Sequence, residues 1–285
     1  MSLKHIGVAA AAVLTLGAAP QDALVRARQF YNQQQYDAAI AAAAEARRLP
    51  EVSNTASIVL ARAYLERFRA SGEGADLAAA REALVGVDSS RLTPRDRRDL
   101  TVGYGELLYF DGQYGAAAEM FAAALAAADT RPDARPAAGP SAAPQTGPST
   151  ADREVVLDWW AVALDHEAQL SADPDRRRLY ARIVERMEPE AAADPPSAAA
   201  MYWLAAAAAG AGDADRAWHA AIAGWIRAPL AAGPRASLRA DLEQLVQQAV
   251  IPMRAQLPSA GGDARRAAAA MQAEWEAVKE MGIRR

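Results

Sequence analysis

Small residues recurring at fixed intervals within helical patterns constrain this chain more than any other feature. Between Gly105 and Leu125, GELLYFDGQYGAAAEMFAAAL, two helical patterns meet at a short turn, Asp111-Gly112-Gln113. Gly105, Ala117 and Ala124 are small where one helix must pass the other, while Tyr114 and Phe121 are aromatic beside them. Small side chains let two backbones approach closely, and an aromatic ring then fills the gap left beside the turn. A chain written this way folds as helix pairs. No segment alternates with period two for long enough to form a sheet, so the expected fold class is all-α.

The same arrangement recurs along the chain. From Asp22 to Leu49, Ala27, Tyr36, Ala39 and Ala46 take the small, aromatic, small and small positions around a polar turn at Asn32 to Gln35, and Pro50 stops the second helix. A further pair starts at Ser53, with Ser53 or Asn54 as the expected cap, and its second helix is expected over Ala75 to Val87. Thr93-Pro94-Arg95-Asp96 has the form of a helix start, with a threonine cap, proline in the first turn and an acid three residues on. Residues Asp129 to Thr150 are rich in proline, alanine, glycine and serine and lack large apolar side chains, which predicts a flexible linker between two helical lobes. Beyond it, helices are expected over Arg153 to Leu170 and over Asp175 to Met187, the latter capped by Asp173-Pro174. A further pair spans Ser197 to Ala228, turning at Gly212. A helix from Ser237 to Ala249 is expected to break at Ile251-Pro252, and a last helix, Asp263 to Met281, to close the stack with Trp275 and Val278 on its inner face.

These small-aromatic-small positions resemble those of tetratricopeptide repeats, best around Ala27 to Ala46 and Gly105 to Ala124, with a third match around Leu204 to Ala221. The resemblance implies an α-solenoid and a protein-binding scaffold whose first helices line a concave groove, with no catalytic residue, metal or cofactor. Groove positions carried over residue by residue are Arg28, Tyr31 and Asn32, then Arg62 and Glu66, then Glu106 and Tyr109, and Tyr202. The carboxylate-clamp version of the family holds lysine and asparagine where this chain has Leu24, Arg28, Ile58 and Arg62, so binding of a chaperone tail by its terminal carboxylate is not expected. The expected partner is a protein or peptide segment of mixed charge with apolar anchors.

Composition and motifs narrow the alternatives. Hydrophobic residues make up 52% of the chain but aromatics only 6%, so alanine-rich helices in close contact, not a thick core, must bury the apolar surface. Lys and Arg total 31 against 35 Asp and Glu, well interspersed, and there is no basic stripe of the kind that nucleic acid requires. The absence of cysteine excludes disulfides and thiolate chemistry. His166 opens a zinc-protease-like run, yet Leu170 stands where its second histidine belongs. Gly210 to Asp215 is glycine-rich but sits between helices, not after a strand. Tandem Trp159 and Trp160 cannot both face inward on a lone helix, which points one of them toward a groove or a neighbouring helix.

The first residues bear on location. A basic start, an apolar run from Ile6 to Leu16 and small residues to Ala19 form the pattern of a cleavable signal peptide over residues 1–19. The run is shorter than the ~20 residues of a membrane span, so no stable transmembrane anchor is expected after cleavage. The organisation expected is thus 1–19 signal peptide, 20–128 helical domain, 129–150 linker and 151–285 helical domain, exported to the periplasm or beyond. Two other readings stay open: an all-helical enzyme acting on envelope polymers, and a structural spacer.

Overall fold

A computed structural model describes residues 20–129, 150–231, 238–258 and 263–283. The expected signal peptide, 1–19, and the body of the expected linker, 130–149, lie outside the described residues. Among the described residues the chain is helical throughout, with no strand. It divides into two compact units at Asp88/Ser89.

The first unit holds α1 (Pro20–Asn32), α2 (Tyr36–Arg47), α3 (Ser53–Ser71) and α4 (Gly74–Leu84), each packed along the next. Its helices meet through alanine: Ala27, Ala39, Ala43, Ala56, Ala61 and Ala63 are fully buried. Arg67 of α3 fastens three helices, donating to both Asp76 carboxylate oxygens at 2.8 and 2.5 Å and to Asp37 Oδ1 at 2.6 Å. Neither Ser53 nor Asn54 caps α3. The cap position is Val52, and Asn54 instead accepts from the Asp88 N–H at 3.2 Å, tying down the chain that leaves α4.

The second unit holds α5 (Pro94–Phe110), α6 (Tyr114–Asp129), α7 (Thr150–Leu170), α8 (Asp173–Ala192), α9 (Ala198–Gly210), α10 (Ala214–Arg227), α11 (Leu238–Leu245), a π-helical stretch Val246–Val250, α12 (Ile251–Ala255) and α13 (Ala264–Ile283). Thr93 caps α5 as expected: its Oγ1 accepts from Asp96 N–H at 3.1 Å and donates to Asp96 Oδ2 at 2.8 Å. α8 begins earlier and runs longer than its pattern implies. Ala172 is its cap, Asp173 pairs with Arg176 at 3.1 Å from within the first turn, and the helix carries Pro189 near its end. The helical path also continues through Pro252, because the wider π turn before it accommodates a residue that lacks an N–H and crowds the preceding turn.

The compact division does not fall across residues 129–150. α6 and α7, on either side of that segment, pack along each other. Glu167 Oε2 of α7 accepts from Gly115 N–H of α6 at 2.9 Å. Composition identifies a stretch that cannot build a core; it is silent on whether the flanking helices pack together.

Three helix–turn–helix junctions share one geometry. After α1, α5 and α9 the chain passes through a left-handed residue, Gln34 (φ 59°), Gly112 (φ 74°) and Gly212 (φ 83°). In each, the following N–H reaches back over the turn to a carbonyl at 2.9 Å: Gln35 to Phe30, Gln113 to Leu108, Asp213 to Ala208. Two of the three use glycine, which has no Cβ to clash in that conformation. At matching intervals before the turn stand Ala27, Gly105 and Ala205, and after it Ala39, Ala117 and Ala217, all buried. Within each unit the first helices of successive pairs also touch, α1 with α3, α5 with α7, α7 with α9 and α9 with α11.

A buried acid marks the α7–α9 contact. Glu154, 7% exposed, accepts from Ala199 N–H at 3.1 Å in the first turn of α9. Burial raises its pKa above the ordinary 4.5, outweighing the hydrogen bonds from Ser197 and Ala199 that pull it down. Between those two values the native state holds more protons than the unfolded chain, so Glu154's contribution to stability falls as pH rises. Glu154→Gln, neutral throughout, is therefore expected to be more stable than the parent at neutral pH and to lose that advantage toward about pH 4. Urea midpoints compared across this range check it.

Candidate functional site

In the first unit, the expected groove positions gather along α1 and α3. The Arg62 guanidinium lies over the Tyr31 ring, 5.2 Å from its centroid, close enough for cation–π attraction. Tyr31 also meets Tyr36 edge-on at 6.0 Å. Glu66, one turn beyond Arg62, pairs with Arg69 at 2.5 Å. Burial pushes the Tyr36 phenol above its usual pKa, with the Glu66 charge adding to the effect, so it remains protonated and able to donate. Arg28, Tyr31, Arg62 and Glu66 are half-buried and Asn32 is exposed. This is a surface of two guanidiniums, a carboxylate and a phenol ring held on rigid helices, chemistry suited to noncovalent contact with a chain of mixed charge.

In the second unit the expected positions fare differently. Glu106 is 2% exposed, so it lies in the interior and not on a groove surface. Its neighbours Gly105 and Leu107 are buried as well, because α5 is covered by both α6 and α7. Tyr109 is half-buried in an aromatic cluster, 5.0 Å from the Trp159 ring, 5.3 Å from Tyr114 and 5.5 Å from Phe110. Its hydroxyl shares a 3.1 Å hydrogen bond with His166 Nε2. Burial raises the Tyr109 pKa, with Tyr114 and Asp165 contributing, so the phenol keeps its proton. Tyr202 is half-buried and edge-on to Trp203 at 5.3 Å.

Tyr31 and Tyr109 stand at the same interval before their left-handed turn residues, and each touches the next first helix of its unit. On α3 that neighbour is an arginine and the tyrosine stays half open. On α7 it is a tryptophan and a histidine, and the tyrosine becomes part of the packing.

His166 is a half-buried hydrogen-bonding partner of Tyr109. Among the described residues no three His, Asp or Glu side chains come together as a metal-binding group. The tandem tryptophans both pack: Trp160 is 3% exposed, while Trp159 lies between Tyr109 and Phe121, stacked on the latter at 5.8 Å. Helices on two sides of α7 make this possible. Sequence reasoning missed a cleft between α6 and α8 beneath Trp160. Its only advance signal was the second tryptophan of the pair.

No family model, curated protein or solved structure matches this chain. No described helix is long and apolar enough to cross a membrane.

Proposed function

We propose that this chain is an exported, non-catalytic scaffold of the tetratricopeptide-repeat kind, an α-solenoid in which first helices hold an extended or helical segment of a protein partner in the bacterial envelope. The observation that carries this reading is the set of three junctions with the same left-handed turn, the same back-reaching hydrogen bond and small residues at the same intervals. Repetition of one supersecondary unit, with successive first helices in contact, is how solenoids present a continuous binding surface. The Arg62–Tyr31 contact and Glu66 supply charge of both signs beside an aromatic anchor, which favours a mixed-charge segment over a purely acidic or basic one.

The α1–α3 surface is the part of the expected groove best suited to a test, since Tyr109 is engaged in packing. A displayed peptide library selected on the protein is expected to yield binders. The Tyr31→Ala, Arg62→Ala double variant should bind them about 10-fold or more weakly, the loss of ~1.4 kcal/mol or more that anchor residues carry, with helical circular dichroism unchanged. Equal binding by parent and double variant would remove this surface from consideration. Export is checked in the same preparation: protein recovered from an envelope fraction should have the mass of a chain cut at or near Ala19, and a retained Met1 counts against it.

A further inference from the structure

We draw no further inference here: the strongest candidate, the half-buried aromatic patch that Tyr109, Phe110 and Trp159 form across α5 and α7 of the second unit, is an unpartnered face with nothing in the structure to show what covers it.

Discussion

Replacing Trp275 by alanine is expected to release α13 from the rest of the second unit. Trp275 is fully buried and meets Trp225 at 5.3 Å and Trp218 at 5.9 Å, both on α10. Its indole N–H donates to Glu243 Oε2 on α11 at 2.9 Å, and Lys279, one turn on, reaches Glu243 Oε1 at 3.1 Å. Burial alone would raise the Glu243 pKa, but hydrogen bonds from Trp275, Lys279 and Gln247 outweigh it and hold the carboxyl below its ordinary range. The remaining buried anchor of α13 is Val278, since most of its other residues are exposed. Truncating a buried tryptophan costs roughly 3–5 kcal/mol. For a terminal helix with one large anchor, that loss falls mainly on local docking. Amide exchange within α13 should accelerate by about two to three orders of magnitude, while α5 to α9 exchange as in the parent. Trp275→Phe keeps the ring contacts and loses the N–H, so it should give a smaller effect, about 1 kcal/mol. Unchanged protection of α13 in Trp275→Ala would show that the helix is held by something else.

The second large effect concerns Gly105 and Phe121. A Cβ placed on Gly105 would lie 2.7 Å from Phe121 Cε1 and 2.9 Å from Cζ, and Phe121 is fully buried. Gly105→Ala is therefore expected to destabilise by roughly 1–3 kcal/mol through overpacking, even after the ~1 kcal/mol that alanine contributes as a helix former. Phe121→Ala should cost about 3–5 kcal/mol by leaving a cavity. The two together place alanine at both positions, which is the pair found at Ala27 with Ala43 and at Ala205 with Ala221 in the other two junctions, all fully buried. The double variant should thus be more stable than the sum of the single costs predicts, by roughly 1–2 kcal/mol in urea denaturation. Additivity within about 0.5 kcal/mol would mean that volume is not exchanged between these two sites.

That exchange explains why so much of the architecture is legible without coordinates. Where two helices cross closely, one residue must be small whatever else changes, so Ala27, Gly105, Ala39 and Ala117 show themselves by spacing alone. The Thr93 cap is legible for a similar reason, because its partner Asp96 lies within the same turn. Features that depend on distant chain are not. Asn54 has the chemistry of a cap, but its amide oxygen accepts from Asp88. Pro252 reads as a break, yet a widened turn carries the helix past it.

For the expected groove positions the sequence says less. The helical period puts Tyr31, Arg62, Glu106 and Tyr109 on comparable faces but does not say what covers them. Glu106 is buried, and Tyr109 is taken up by Trp159 and His166, while Tyr31 and Arg62 meet each other and stay partly open. The cleft under Trp160 could not be found by period at all, because three helices contribute to it and its residues share no repeat.

The distribution of aromatic rings has an optical consequence. All 6 tryptophans lie beyond Asp88, in the second unit, and the first unit absorbs through Tyr31, Tyr36 and Tyr64. Excitation at wavelengths selective for indole therefore illuminates one unit and leaves the other dark. Within the lit unit, Trp218, Trp225 and Trp275 are close enough, at 5.3–5.9 Å between contacting rings, to pass excitation among themselves. A melting curve followed by indole fluorescence is a record of the second unit, and far-ultraviolet dichroism is needed to follow the first four helices beside it.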